Sequence, residues 1–474
     1  MSRISFFWVT ISFVTLTLLT ACQAPDFSKI KPNFKKIKDV PISLLDGEKG
    51  SLFGSNQGVS LVANDSPIPL SKILNDSLTD TNQGSDFITT LRYALETDPA
   101  IITRRRNIEA RMAAVDLTKA KKDFQVGTTV YGGFEDVTDN TKGVALSLNA
   151  SRLVFDGGKL DAQINASLFA LEETQLDLMV ASDQRAGELC QIWLELEKYK
   201  SLEEQINRRL LVLDPLIEQL EKVADAGIGD VSKVTAAQRT VSAIRVEEAR
   251  IAEGLAQAEL EFENAFGTVS DGITFDHDFL SNLVPQEINE EFVQNSPLLK
   301  SQYASYQASL AVLKSLRAKD RFDVGFEARA TRPFAGSGYD SDESIGLVGR
   351  KTLFNGGMLE AEIKEVEAIA AAKLSRIKET YRHGARSVQT ALQNIDSMEK
   401  AILIARENAK LTADEIVHLR QQLIIGGSTL DSVLSAEARL YDAESKEILF
   451  LTDKYKSQVV IVSSLGLLSG AIGF

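Results

Sequence analysis

The sequence contains the same strand-to-helix transition twice, about two hundred residues apart. The segment LVFDGGKLDAQI begins at Leu153, and TLFNGGMLEAEI begins at Thr352. Other features recur at nearly the same spacing: Asp98-Pro99 corresponds to Ser296-Pro297, and Gly227 corresponds to Gly426. Repetition at a fixed period indicates a duplicated structural unit, so the chain is predicted to contain two copies of one arrangement.

Each Gly-Gly transition is followed by a stretch with the periodicity of a very long helix. Between Gly158 and Ala226, apolar residues recur at alternating steps of four and three, the pattern of a coiled-coil seam. Helix-breaking prolines are sparse, with none between Pro99 and Pro215 and none after Pro333. With a rise of about 1.5 Å per residue, such a helix would extend about 100 Å. A local kink is predicted at Pro215.

Two runs of alternating apolar and polar residues precede each transition and predict a β-hairpin in each repeat. In FDVGFEARATRPF, which begins at Phe322, apolar residues take one strand face and polar residues the other. Each run has about ten residues, enough for a tilted strand to cross the hydrocarbon of a bilayer. Because lipid tolerates only closed barrels and four strands cannot close one, several copies of the chain must combine.

These elements predict two structural repeats joined by an insertion. The first repeat covers residues 86–266, with a helix, a hairpin over 124–155, a long helix over 158–226, a tip turn and a return helix. The second covers residues 297–465, with its hairpin over 322–354 and its long helix over 357–425. Residues 267–296 form an equatorial insertion partway along the rod, and residues 466–474 form a C-terminal tail.

The N-terminus has the features of an export signal. Arg3 precedes an apolar run that ends in Leu19-Thr20-Ala21-Cys22, which is similar to a bacterial lipoprotein signal. We expect removal of residues 1–21, lipid attachment at Cys22 and an extended tether over residues 22–85, which hold half of the chain's ten prolines. The alternative is an ordinary signal peptide with an incidental cysteine. A glutamine, rather than an aspartate, follows Cys22 and favours the outer membrane.

Composition excludes several classes of function. The net charge of -14 argues against nucleic-acid binding and against docking on anionic lipid through a basic surface. Three histidines and two cysteines are too few for a metal site built from those residues. The sequence contains no P-loop, Gly-x-Ser-x-Gly, His-Glu-x-x-His or Cys-x-x-Cys motif, so we predict no enzyme, no cofactor and no metal.

The set of features resembles the TolC-like outer-membrane efflux and secretion channels, specifically their lipid-anchored members. The resemblance covers about residues 86–465 and depends on the FDGGK and FNGGM joints, the glycine turns that end the long helices, and Cys22. It implies a mainly helical homotrimer in which a twelve-strand β-barrel in the outer membrane continues into a twelve-helix barrel in the periplasm. It also implies an exit duct for a tripartite efflux or type I secretion system. Its partners would be a periplasmic adaptor and an inner-membrane pump or secretion ATPase.

The resemblance also implies functional residues at both ends of the helical rod. The adaptor would dock on the tip turns, at Gly227, Ile228, Gly229, Gly426, Gly427 and Ser428. Asp230 and Asp431, beside the tips, are candidates for acids that line the periplasmic entrance, although a helix N-cap role is the favoured explanation for Asp230. The tip glycines also suit a helix-to-helix turn without any partner. At the other end, the bend from strand to helix is assigned to Gly157, Gly158, Gly356 and Gly357.

Two other classes stay open from the sequence. A periplasmic lipoprotein adaptor is also lipid-anchored and helical, but it would normally have one helical hairpin between β-rich halves. An envelope enzyme carried on a rod would need a catalytic group, and the insertion supplies only a lone imidazole at His277. We expect that histidine to lie on the surface.

Overall fold

The computed structural model describes residues 84–136, 141–225, 231–269, 272–285, 290–336 and 340–474. The chain divides into two units, Met1–Ile73 and Leu74–Phe474, and all of these residues belong to the second. The signal segment, Cys22, most of the tether and the first tip at residues 227–230 lie outside the described residues. Within the described part, no helix is both long and apolar enough to cross a membrane.

The two halves of the chain have the same order of elements. The first half contains α1 (Phe87–Thr97), α2 (Pro99–Ala120), β1 (Gln125–Asp136), β2 (Thr141–Phe155), α3 (Lys159–Asp225) and α4 (Val231–Phe266). Two short helices follow, α5 (His277–Leu283) and α6 (Glu290–Gln294). The second half contains α7 (Pro297–Ala318), β3 (Asp323–Gly336), β4 (Asp342–Arg350), α8 (Met358–Ile424), α9 (Leu430–Leu465) and α10 (Leu468–Ala471).

Local sequence explains where the helices begin. α2 starts at Pro99, and the Asp98 side chain caps it by accepting from the Ala100 N–H at 2.8 Å. α7 starts in the same way, with Pro297 in its first turn and Ser296 as its cap. The helices α3 and α8 each have 67 residues. Pro215 lies inside α3 without ending it.

The helices lie side by side in a fixed order. α3 packs against α2, α4, α7 and α9, α8 packs against α7 and α9, and α9 also makes a smaller contact with α4. The order across the layer is therefore α2 with α4, then α3, then α7 with α9, then α8. Consequently α8 forms one edge of the protomer, and α2 with α4 forms the other.

The four strands form one antiparallel sheet in the order β1-β2-β3-β4. The hairpins of the two repeats are joined because β2 pairs with β3, placing Ala150 opposite Ala328. β1 and β4 are the outer strands, and each pairs with one neighbour in the described chain. The predicted fold class, long helices with four strands, is confirmed.

The largest core cluster joins the insertion to the long helices. Aromatic rings dominate it: the ring centroid of Trp193 lies 5.2 Å from that of Phe87 and 5.1 Å from that of Phe266. The C-terminal residues belong to the same core, because Leu468 and Ile472 are fully buried. Residues 466–474 are therefore packed and do not trail from the rod.

A buried carboxylate helps to hold this C-terminal segment. Asp183 of α3 accepts hydrogen bonds from the Ser469 N–H at 2.8 Å and from the Ser469 hydroxyl at 2.9 Å. Burial raises the pKa of Asp183 above its ordinary value, and the hydrogen bonds from Ser469 only partly oppose this rise. The packing of the end of the chain therefore depends on a polar contact inside the core.

His277 was expected at the surface, and its side chain is 32% exposed but held by specific contacts. Its Nε2 lies 2.9 Å from Glu197 Oε1, and its ring centroid lies 4.3 Å from that of Tyr455. The side chain is partly buried because α5 packs against α9. This contact accounts for His277 as a packing and hydrogen-bonding residue of the insertion.

Candidate functional site

One face of the sheet is apolar and exposed. Residues paired in antiparallel strands lie on the same face. The register places on this face Val126, Val130, Leu146, Leu148, Ala328, Ile345 and Leu347, with one ion pair between Arg332 and Glu343. Val126 is 67% exposed and Ile345 is 76% exposed. A protomer alone therefore leaves a broad apolar strand surface uncovered.

The opposite face is polar and internally hydrogen-bonded. Arg329 Nε donates to Asn149 Oδ1 at 3.2 Å, and the Thr331 hydroxyl donates to Ser147 Oγ at 3.2 Å. On the same face, Arg350 forms an ion pair with Glu327 at 2.5 Å. An apolar face backed by a polar face is the arrangement of a barrel wall between lipid and a water-filled lumen.

The four glycines predicted at the joints lie where strands give way to helices. Gly157, Gly158, Gly356 and Gly357 all have left-handed φ, between 67° and 85°. Side chains other than glycine rarely adopt this conformation. Gly157 is also covered, since a Cβ there would meet the Arg321 side chain, whose Nη1 donates to the Gly157 carbonyl at 2.9 Å.

The residue before each glycine pair makes the two joints unequal. Asp156 is buried and accepts from the Gly158 N–H at 2.9 Å and from the Leu160 N–H at 2.5 Å. In the second repeat, Asn355 is exposed, and α8 begins without a side-chain cap. The start of α3 is therefore stabilised by a carboxylate cap that the start of α8 lacks.

This inequality predicts different costs for equivalent substitutions. Asp156→Ala removes both cap hydrogen bonds and is expected to destabilise the start of α3 by about 1–2 kcal/mol. Asn355→Ala, the matched control, is expected to change stability by less than about 0.5 kcal/mol because no cap bond is lost. Hydrogen exchange of the first-turn amides of α3 and α8 measures both effects. Equal protection losses in the two variants would contradict the assignment.

At the second tip, the chain reverses in a compact helix stop followed by a helix start. Gly426 has a φ of 77°, its N–H donates to the Leu423 carbonyl at 3.3 Å, and the Gly427 N–H donates to the Gln422 carbonyl at 2.8 Å. These two bonds form a Schellman motif. The Thr429 side chain then caps α9 by accepting from the Ser432 N–H at 3.3 Å.

An exposed apolar pair lies beside the glycines of this tip. Ile424 is 86% exposed and Ile425 is 82% exposed beside the two glycines. Sequence reasoning missed this pair, although an apolar Ile-Ile directly before Gly-Gly was visible. Ser428 is partly buried, and Asp431 lies in the first turn of α9, where a carboxylate interacts favourably with the helix dipole. The other predicted tip residues, Gly227, Ile228, Gly229 and Asp230, lie outside the described residues.

Close to this tip, a buried ion-pair network connects three long helices. Glu437 of α9 contacts Arg209 of α3 at 2.5 Å and Arg420 of α8 at 2.7 Å. Arg209 also contacts Glu444 at 2.8 Å. The Glu437 side chain is 2% exposed and that of Arg209 is 12% exposed, so solvent screens this pair little.

The candidate sites are extended surfaces on the sheet and at the tip. In the described part of the chain, no group of His, Cys, Asp or Glu residues could hold a metal ion. Its distinctive features are a two-faced sheet, helices of 67 residues and a glycine tip.

Comparison with known proteins shows a family match in the second half of the sequence. Residues 289–467 match the outer membrane efflux protein family. The sequence has no significant similarity to any curated protein. The matched segment contains the whole second repeat, from α6 to α9, so the sequence and the fold agree there.

Solved structures have the same fold across both repeats. CusC, described for its transmembrane channel formation, matches with a TM-score of 0.72 at 16% identity, covering 82% of this chain and 95% of its own. VceC from Vibrio cholerae matches with a TM-score of 0.70 at 16% identity, covering 80% and 95%. The MtrE outer membrane channel of Neisseria gonorrhoeae matches with a TM-score of 0.69 at 14% identity, covering 80% and 88%.

Residues 289–467 thus match the outer membrane efflux protein family, and about four fifths of the chain shares the fold of solved outer-membrane channels. The resemblance to the TolC-like channels is confirmed. This class consists of transport ducts, in agreement with the prediction that the chain is not an enzyme.

Proposed function

We propose that the chain is one protomer of a homotrimeric exit duct that spans the outer membrane and extends through the periplasm. It would pass substrate from an inner-membrane pump or secretion ATPase, through a periplasmic adaptor, in a tripartite efflux or type I secretion system. Cys22 would carry lipid beside the barrel. The main support for the proposal is that the protomer has two different uncovered edges, one on each side of the sheet and of the helical layer.

The uncovered edges occur both in the sheet and in the helical layer. Among the described residues, β1 and β4 each have one strand partner, and they lie at opposite sides of the sheet. An exposed strand edge in lipid would leave backbone groups unpaired, so β4 of one copy must meet β1 of the next. Contacts between unlike edges generate a ring. Three copies supply twelve strands, an even number within the range of bacterial barrels.

The edge helices carry matching apolar surfaces. On α8, the residues Leu403, Leu411 and Val417 are exposed, and on α4 so are Val246 and Leu260. Exposed apolar stripes of this kind mark protein contact surfaces. Packing α8 of one copy against α2 and α4 of its neighbour would close twelve helices into a tube below the strands.

The remaining sites fit positions along this duct. The tip of α8 and α9, with Gly426, Gly427 and Ser428, would receive the adaptor, as would the first tip. Asp431 and Asp230 would lie near the periplasmic entrance. The four joint glycines would bend the backbone where the membrane barrel becomes the helical tube. The adaptor alternative is less favoured because one chain here contains two helical hairpins joined by one sheet.

Crosslinking between the edges tests the trimer. Counting helix rise from the tip places Val246 about 22 Å up α4 and Leu411 about 20 Å up α8. A Val246→Cys/Leu411→Cys variant, treated in native membranes with a short flexible bismaleimide, is expected to give covalent dimers and trimers and no larger species.

Single-cysteine variants provide the controls. Val246→Cys alone and Leu411→Cys alone are expected to stay monomeric on denaturing gels. Covalent species that stop at the dimer, or that continue beyond the trimer, would overturn the proposed assembly. So would a double variant that stays monomeric while it fractionates with the outer membrane.

A further inference from the structure

An arginine lies at the base of the apolar sheet face, where the strands approach the helices. The register pairs Arg152 of β2 with Phe326 of β3, which places Arg152 on that face. Its guanidinium lies 5.1 Å from the centroid of the Phe124 ring, and the Phe124 ring packs edge-on against Phe326 with centroids 6.1 Å apart. A charged group is thus held on the Phe124 ring, which itself packs against Phe326, beside an apolar surface.

The second repeat places a cation at the equivalent position. Lys351 follows Arg152 by 199 residues, and Phe322 follows Phe124 by 198. The Lys351 ammonium lies 5.8 Å from the centroid of the Phe322 ring. A cation stacked on an exposed phenylalanine is therefore part of the duplicated unit.

The two cations differ in their other partners. Lys351 forms an ion pair with Asp320 at 3.6 Å. Arg152 makes no ion pair among the described residues, and its Nε donates weakly to the Lys122 carbonyl at 3.4 Å. Lys122 itself pairs with Asp161. The terminal nitrogens of Arg152 are thus left to bind an anion.

The surroundings indicate what kind of anion. Phe124 is 56% exposed, Phe155 is 54% exposed, and the strand above them continues as the apolar face. A site with a cation at one end and an apolar strand surface above it is complementary to a lipid, with phosphate below and acyl chains above. Arginine suits a phosphate because its planar fork donates two parallel hydrogen bonds.

We propose that Arg152, with Phe124 and Phe326, binds the headgroup phosphate of an anionic phospholipid in the periplasmic leaflet. This inference rests on the proposed function, because it needs the sheet to cross the outer membrane. The chain's overall negative charge does not oppose it, since the site is local and the chain's acids lie mostly on the helices. The bound lipid fixes the height of the barrel in the bilayer.

Lipid binding by the purified full-length assembly tests the site. Native mass spectrometry would count phosphatidylglycerol and phosphatidylcholine molecules of identical acyl chains retained by wild type and by Arg152→Gln. The wild type is expected to retain phosphatidylglycerol preferentially, and Arg152→Gln to reduce that affinity about fivefold, the effect of one cation near an anionic surface. Lys351→Gln, at the ion-paired equivalent, is expected to change it less than twofold.

Two further measurements distinguish a lipid site from a simple anion site and from failure of the proposed membrane channel. Inorganic phosphate at millimolar concentration is expected not to displace the lipid, and displacement would mean a simple anion site, which overturns the proposal. Equal phosphatidylglycerol retention by wild type and Arg152→Gln would also overturn it. Failure of the wild-type chain to enter lipid nanodiscs would instead contradict the proposed membrane channel.

Discussion

A Gly427→Val variant is expected to fold and assemble normally but to lose most of its transport activity. The reason lies in the geometry of the tip. Gly427 lacks the left-handed φ of Gly426, and a Cβ on it would meet only Gln422 atoms at 3.7–3.8 Å, an ordinary contact. The protomer has no need for a glycine here. A requirement for one must therefore come from a partner that approaches the backbone closely.

Complementation measures this prediction. In a strain that lacks the chain, Gly427→Val is expected to restore outer-membrane trimers to the wild-type amount. Adaptor co-purification is expected to fall at least tenfold, which corresponds to a clash of about 1.4 kcal/mol. Gly427→Ala, with a smaller side chain, is expected to give an intermediate loss.

Gly426→Val is the comparison that separates strain from docking. A β-branched residue at a φ of 77° is strained by about 1–3 kcal/mol, so that variant is expected to disturb the turn itself. Wild-type transport by Gly427→Val would show that the partner does not contact this part of the tip. Loss of trimers in Gly427→Val would point to a structural role and contradict the docking assignment.

Sequence periodicity predicted the long elements because their constraints are local and repeated. An apolar seam held over many heptads specifies a helix, and the duplicated Gly-Gly pairs marked both joints. The strands could be predicted for the same reason, since apolar and polar residues alternate at period two. This alternation puts Val126 and Ser147 on opposite faces of the sheet. Their sheet order was not predictable residue by residue, because the pairing of β2 with β3 joins segments 180 residues apart, such as Asn149 and Arg329.

The parts missed by sequence reasoning depend on contacts between distant segments. His277 was expected at the surface, but the docking of α5 places it between Glu197 and Tyr455. The C-terminal residues gave no sign that Asp183, nearly three hundred residues earlier, holds Ser469. The burial of Glu437 was also missed, since an acid in a coiled-coil helix normally faces solvent. Glu437 is buried because three helices, α3, α8 and α9, meet around it. Its partners Arg209 and Arg420 come from different repeats.

A Glu437→Gln variant is expected to loosen the helical layer near the tip of α8 and α9. The substitution preserves side-chain volume but leaves Arg209 and Arg420 without the carboxylate they share. Breaking a buried pair by removing one partner costs about 3–5 kcal/mol. The cost here is at the low end of that range, because Arg209 keeps its pair with Glu444 and the Arg420 side chain is 46% exposed. Because Arg209 belongs to α3, Arg420 to α8 and Glu437 to α9, the cost falls on the contact between the two repeats.

Hydrogen exchange tests this expectation with a control on the same helix. Amides of α9 around Glu437 are expected to lose about a hundredfold or more of their protection in Glu437→Gln, as a loss of 3 kcal/mol predicts. Asp442→Asn removes an exposed pair with Lys446 and is expected to cost less than about 0.5 kcal/mol. Equal exchange in the two variants would mean that the network does not hold the repeats together. A loss confined to Glu437→Gln would identify the network as the tie between the helical hairpins closest to the tip.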